Sequence, residues 1–333
     1  VPWNEIDMGQ LRLDPLTGRW VVISADRADR PQPFAHRSLP VQADAEMPCP
    51  FCPGNEEKTP PALETYGPHG EWLVRIVPNL YPAFAGREPM AVQNIGPVHT
   101  QADATGIHEV VVFSPSHTAT FADLSDAQAG LVLAAVRDRT EEHAGSSAAL
   151  RYTQFIVNAG REAGASLDHP HGQLLAMPFV PSELADEQAG FDRFRGACLL
   201  CTVLEAEEEV GHRVIQADGR HVLVAPFWSG TPYEMLILPR IHEPWVHHAA
   251  PADLSAVGRA IRDALARLRR AVGDVAYNIV LHYAPFRAHA DFHWHVHLLP
   301  KVTTRAGFEL GTGVLINVLP PEYAAAELRA ALA

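Results

Sequence analysis

The stretch His293-Trp-His295-Val-His297-Leu-Leu-Pro300 alternates histidine with apolar residues and then closes on an apolar pair. In an extended chain alternate residues share a face, so its three imidazoles project together. A related stretch, His169-Pro-His171-Gly-Gln173, lies 124 residues earlier, with His171 at the place of His295 and Gln173 at the place of His297.

The agreement extends outward from both stretches. Asn158 precedes His169 by 11 residues, as His282 precedes His293, and His117 to His169 is 52 residues where His242 to His293 is 51. Each half carries a Cys-x-x-Cys pair, Cys49/Cys52 and Cys198/Cys201, followed 20 residues later by a β-type run, Trp72–Val77 and His221–Ala225. A second run, His108–Phe113 or Tyr233–Leu238, leads to Pro115 and His117 or to Pro239 and His242. Landmarks matched over this length are a duplication.

After each proline and histidine the pattern predicts an amphipathic helix. The first covers about 126–144 and opens with Ser125-x-x-Gln128, a capping-box pattern. The second covers about 255–272, with Val257, Ile261, Leu265 and Leu268 at helical spacing. Strands follow at 152–158 and 277–282. The expected fold is therefore α+β: two tandem halves, 1–180 and 181–333, with mainly antiparallel sheets and a helix packed across each. Residues 181–196 read as the connection, the opening up to about Arg37 as an N-terminal addition, and the Pro-rich stretches of 31–61 as surface loops.

Composition narrows the function. A chain of 333 residues exceeds the usual single core, and 47% hydrophobic with 20% charged residues is the balance of a soluble globular protein. A net charge of −13 argues against a partner such as nucleic acid, which demands basic stripes, but leaves room for a small phosphorylated ligand. With no charged-then-apolar leader and no apolar run near the roughly 20 residues that span a bilayer, a cytoplasmic protein without membrane partners is expected. All four cysteines sit in the Cys-x-x-Cys pairs, which favours metal ligation or redox chemistry over structural disulfides.

Two such cysteines can share one tetrahedral zinc with two histidines. The repeat offers Cys49, Cys52, His117 and His169 as one set and Cys198, Cys201, His242 and His293 as the other, both closed and hence structural. Beside the first set, His171 is a candidate nucleophile, because a neutral imidazole held by one ring nitrogen can attack phosphorus with the other. Asn158, the glycines around Gly164, and Ser166 could bring donors to phosphate oxygens. In the second half, His282, His295 and His297 with Glu187 could bind a further metal, or form a hydrogen-bonded cluster that supports the fold.

His-φ-His-φ-His-φ-φ at 293–299 is the signature of the histidine-triad superfamily. Together with His-Pro-His-Gly-Gln at 169–173 and the paired cysteines, it makes the chain resemble galactose-1-phosphate uridylyltransferase from Asp14-Pro-Leu-Thr-Gly-Arg-Trp20 to near Pro300. Also shared are Arg27-Ala-Asp-Arg30-Pro31, the Asn79 segment, Phe113-Ser-Pro-Ser-His117 and His282-Tyr-Ala-Pro-Phe286.

The resemblance implies two histidine-triad-like halves, a homodimer, and a place in galactose metabolism. His171 would take UMP from UDP-glucose and pass it to galactose 1-phosphate, with Gln173 holding phosphoryl oxygens. Ser166, Asn158, Gly164, Asn79, Arg27 and Arg30 match nucleotide- and phosphate-contacting positions, and Phe308 falls in the sugar-contacting region. Glu187, His282, His295 and His297 match a second metal site, for a metal such as iron.

Glutamine at 173, where hydrolytic relatives have histidine, cannot act as acid or base and favours transfer over water attack. Residues 307–317 depart from the family's sugar-contact pattern, and Phe308-Glu-Leu-Gly-Thr-Gly313 is similar to the branch of ADP-glucose:phosphate adenylyltransferases. Two rival readings follow: another nucleoside diphosphate sugar with phosphate as acceptor, and a catalytically silent, zinc-stabilised nucleotide-binding module.

Overall fold

The computed structural model describes residues 9–25, 48–68, 71–289 and 291–331. The first half contains β1 (Gln10–Leu13), β2 (Trp20–Ile23), β3 (Glu64–Tyr66), β4 (Val74–Pro78), an arm of β5 (Gln93–Ile95) and β6 (His99–Gln101), β7 (Ile107–Val112), α1 (Asp126–Ser146), β8 (Tyr152–Ala159) and β9 (His171–Met177). The second contains α2 (Ser182–Arg193), α3 (Leu199–Val210), β10 (Val214–Ala217), β11 (His221–Val224), β12 (Met235–Pro239), α4 (Pro251–Val272), β13 (Tyr277–His282), β14 (His295–Pro300), α5 (Gly307–Thr312), β15 (Leu315–Asn317) and α6 (Pro321–Ala330).

The main sheet has ten strands in the order β10-β11-β12-β14-β13-β8-β9-β7-β4-β3, every neighbouring pair antiparallel. Outward from its centre, β8-β9-β7-β4-β3 and β13-β14-β12-β11-β10 are the same arrangement twice, so the duplication is present in the backbone. The halves share one sheet, because β8 and β13 would otherwise each leave an unpaired edge. Their pairing sets Asn158 opposite Asn278 and Ile156 opposite Val280.

One face of the sheet is covered by helices. α1 crosses β4 and β8, α4 crosses β11 and β12, and the two pack on each other. The expected stripe of Val257, Ile261, Leu265 and Leu268 is buried on α4. That helix starts earlier than the pattern suggests, at Pro251, whose missing N–H costs nothing in a first turn. α1 keeps half of its capping box: Ser125 Oγ accepts from the Gln128 backbone N–H at 3.2 Å, while the Gln128 side chain donates to the Phe113 carbonyl at 2.9 Å. Buried on this face, Phe113, Phe121 and Phe155 contribute about 1.5–3 kcal/mol each.

Two segments carry more regular structure than the sequence pattern shows. The stretch between the halves contains α2. The opening segment is built into the fold: β1 and β2 form a three-stranded sheet with β15, which runs parallel to β2.

Candidate active site

Register decides what faces the open side of the sheet. Val112 lies opposite His171 and Val110 opposite Gln173 on β7 and β9, and Ile156 lies opposite Gln173 on β8. His171 and Gln173 therefore share a face with His108, two residues before Val110, and with Asn158, two residues after Ile156. The intervening residues Glu109, Val111, Gly172 and Leu174 point at the helices.

His171 is buried, and its Nδ1–H donates to the His169 carbonyl at 2.7 Å. That bond fixes the tautomer and leaves the Nε2 lone pair free. Burial pushes the His171 pKa down, more than the carbonyl contact raises it, which favours the neutral ring at neutral pH. Phe51, from the first Cys-x-x-Cys segment, packs at 5.3 Å between ring centroids.

Asn158, at the end of β8, accepts a 2.8 Å hydrogen bond at Oδ1 from Asn278 Nδ2, which also donates to the Ala163 carbonyl at 2.9 Å. The chain then turns through Arg161–Ala163 to Gly164, whose left-handed backbone (φ 89°) suits glycine. Ser166 stands exposed on the following loop.

The structure gathers all three expected ligand groups. Within each, the ligand atoms lie within 4.8 Å of one another. In the first, His169 Nε2–H donates to the Ser114 carbonyl at 2.8 Å, turning Nδ1 to within 3.7 Å of Cys52 Sγ, and His117 Nδ1 is 3.4 Å from the same sulfur. The second repeats this: His293 Nε2–H donates to the Pro239 carbonyl at 2.9 Å, and Nδ1 lies 3.7 and 3.5 Å from Cys198 and Cys201 Sγ. His242 Nδ1 is 3.8 Å from Cys201 Sγ.

A carbonyl holding the far nitrogen is how a ligating imidazole is oriented. All four cysteines are free thiols. Burial and then the neighbouring thiol push Cys201 up to about 12, a cost that a bound cation reverses. These donor sets fit a tetrahedral metal ion. The two cysteine segments differ locally: the first lies in turns, whereas Cys198 caps α3.

The third group occupies the place in the second half that Asn158, His171 and Gln173 hold in the first. His295 Nδ1–H donates to the His293 carbonyl at 2.8 Å, as His171 does to His169. Here α2 closes the face with Glu187, whose Oε1 accepts from His282 Nδ1 at 2.8 Å. Burial pushes Glu187 up but the adjacent His282 outweighs it, holding the carboxyl at about 2. Glu187 Oε2, His295 Nε2 and His297 Nε2 are buried without hydrogen-bond partners, and a cation would satisfy all three.

Of the other expected residues, Asn79 lies beside His108, its Nδ2 3.1 Å from the Nε2 that meets Gln173 Oε1 at 2.8 Å. Phe308 lies half exposed on α5. Arg27 and Arg30 fall outside the described residues. His108 and Asn278 were not expected; the available signal was a polar residue in phase with the apolar face of a strand.

Comparison with known proteins identifies a family. The family model for galactose-1-phosphate uridyl transferase, N-terminal domain, matches residues 2–181, and a model for a domain of unknown function matches 113–333. An ADP-glucose phosphorylase of Arabidopsis thaliana is 32% identical over 329 residues, 96% of this chain and 92% of that protein. A galactose-1-phosphate uridylyltransferase of Thermotoga maritima is 28% identical, covering 97% and 98%. The crystal structure of an Arabidopsis thaliana ADP-glucose phosphorylase with bound ADP-glucose matches with a TM-score of 0.83 at 30% identity, over 97% of this chain and 98% of that one.

A duplicated α+β fold with a histidine beside a Cys/His cluster thus has its place among transferases. The chain belongs to the galactose-1-phosphate uridyl transferase family. The similarity to an ADP-glucose phosphorylase agrees with the branch that residues 308–313 resemble.

Proposed function

We propose that the protein moves a nucleotidyl group by double displacement through His171, from UDP-glucose to galactose 1-phosphate. His171 Nε2 attacks the α-phosphorus; the N–P bond forms as the P–O bond to departing glucose 1-phosphate breaks. An oxygen of the galactose 1-phosphate phosphate then attacks the same phosphorus and the N–P bond breaks, giving UDP-galactose. The observation that carries this is the 2.7 Å bond from His171 Nδ1–H to the His169 carbonyl, which leaves a fixed lone pair on a face shared with Gln173 and Asn158.

Gln173, Asn158, Gly164 and Ser166 supply donors for phosphoryl oxygens, Asn79 adds an amide, and Arg27 and Arg30 serve the phosphates. Phe308 contributes to the sugar site. Glutamine at 173 offers water no acid or base, which supports transfer over hydrolysis.

Zinc suits the two Cys2His2 groups, where it would brace the segments around His169 and His293; a second metal such as iron suits Glu187, His282, His295 and His297. Residues 1–180 and 181–333 are the two tandem units. A homodimer accounts for the arm before β7, where Tyr81 (84%) and Val98 (78%) are exposed. Among the described residues no helix is long and apolar enough to cross a membrane, and a cytoplasmic enzyme of carbohydrate metabolism fits the composition.

A second reading keeps the nucleotidyl-His171 but uses ADP-glucose with phosphate as acceptor. The 32% identity to an ADP-glucose phosphorylase favours it. Incubation with UDP-glucose and ADP-glucose, each labelled in the α-phosphate, distinguishes the two by the acid-labile label recovered on His171. Label from UDP-glucose supports the uridylyl reaction, label from ADP-glucose alone replaces it with the second reading, and no label from either makes the protein a silent binding module.

A further inference from the structure

The carboxamides flanking His171 are each held by the oxygen. Asn158 Oδ1 accepts from Asn278, and Gln173 Oε1 meets His108 Nε2 at 2.8 Å. His108 is buried at the start of β7, and its Nδ1 accepts the backbone N–H of Ala83 at 3.0 Å. A backbone amide can only donate, so Nδ1 carries no proton, and the ring proton must sit on Nε2. Nε2–H therefore donates, and the atom of Gln173 that faces it is the oxygen. A carboxamide caught by its oxygen presents its nitrogen, with both hydrogens, elsewhere.

Asn79 sharpens the point. Its Oδ1 accepts the Tyr81 backbone N–H at 2.9 Å, which leaves Nδ2 3.1 Å from the same His108 Nε2. That nitrogen is already a donor, so Asn79 cannot spend its hydrogens on the ring. Among the described residues Gln173 and Asn79 thus both keep N–H groups for an outside acceptor, and phosphate oxygens are acceptors only.

We propose that His108 is a positioning residue for nucleotidyl transfer, orienting the Gln173 amide so that its nitrogen meets the oxygens of the reacting phosphoryl group. The inference rests on His171 being the nucleotidylated residue. It assigns His108 no contact with substrate; its effect passes through Gln173. Without Nε2–H, the Gln173 amide can turn its oxygen toward the phosphate, where lone pairs oppose the charge that develops during transfer.

The test is a double-mutant cycle on the rate of His171 labelling by whichever of UDP-glucose and ADP-glucose labels the wild type. His108→Leu should slow labelling by roughly ten- to a hundredfold, with kcat reduced far more than KM is raised. In a Gln173→Ala background the same substitution should add little, because its effect has no remaining route. Losses that multiply in the double variant overturn the proposal.

Should His108→Leu not fold, His108→Gln and His108→Asn replace it. The longer amide can place an N–H where Nε2 stood, whereas the shorter one reaches only the Nδ1 position. Faster labelling by His108→Gln than by His108→Asn supports the role, and equal rates overturn it. A wild type that takes no label removes the parent reading and this one with it; a labelled wild type with multiplying losses overturns only the role of His108.

Discussion

The ring of Phe51 lies 5.3 Å, centroid to centroid, from that of His171. Phe51 sits between Cys49 and Cys52, so the turn that would close on a metal ion also packs against the proposed nucleophile. Its apolar neighbours on this face are Val77, Val110 and Val112. Replacing both Cys49 and Cys52 by serine should therefore lower bound zinc by about one ion per chain and slow His171 labelling about tenfold or more. Phe51→Ala should keep the metal and lose part of the rate. Metal analysis and labelling kinetics on the same preparations check both, and a serine variant with unchanged metal content would reject the assignment of the first ligand group.

Gly172 separates His171 from Gln173 on β9. A Cβ built there would stand 2.6 Å from Phe155 Cε2 and 2.9 Å from the Ile156 carbonyl oxygen. Gly172→Ala should cost about 1–3 kcal/mol by overpacking, read as a lower urea midpoint, with Phe155→Leu in the same chain restoring part of the loss. A Gly172→Ala protein as stable as the wild type would mean that the strand pair yields where the geometry says it cannot.

Glu234 is a buried acid that precedes β12. Burial pushes its pKa up from 4.5 to about 7, against the hydrogen bond from the Gly230 N–H and with nearby Asp14 adding to the rise. Between those values the folded chain holds a proton that the unfolded chain has released, so stability falls as pH rises through that window. The penalty is fully present above about pH 7 and is on the order of 3 kcal/mol. Glu234→Gln should abolish it, raising stability at pH 8 and flattening the profile between pH 5 and 8. Chemical denaturation across that range decides the matter; parallel profiles for the two proteins would count against the raised value.

What could be read in the sequence was whatever depends on spacing. Two Cys-x-x-Cys pairs, each with a pair of histidines spaced 52 or 51 residues apart, specify two ligand groups, and the alternation around His171 specifies one face of one strand. α2 escaped because Glu187 interrupts the buried side made by Leu184, Gly190 and Phe191, so its apolar period is broken by a buried carboxylate. His108 and Asn278 escaped for another reason. Their roles exist only through strand register, which sets β7 beside β9 and β13 beside β8, and neither residue belongs to a local motif. Likewise, nothing in a duplicated pattern says whether the copies stand apart or share a sheet.

Glu187 supplies the decisive variant for the third group, where a metal site and a hydrogen-bonded cluster were both open. The three histidines come from β13 and β14, so α2 adds the carboxylate, and Oε2 stands 3.6 Å from His295 Nε2 while Oε1 stands 3.9 Å from His297 Nε2. Those separations are too long for hydrogen bonds but suit groups gathered around an ion. Glu187→Gln preserves the shape and one hydrogen-bond acceptor for His282 while removing the negative charge. It should lose the third ion, keep the two held by cysteine, and lower the melting temperature, because three imidazoles would then face a neutral amide in a buried space. In a hydrogen-bonded cluster the substitution would lower stability with no change in metal content, so metal analysis before and after the exchange separates the two arrangements.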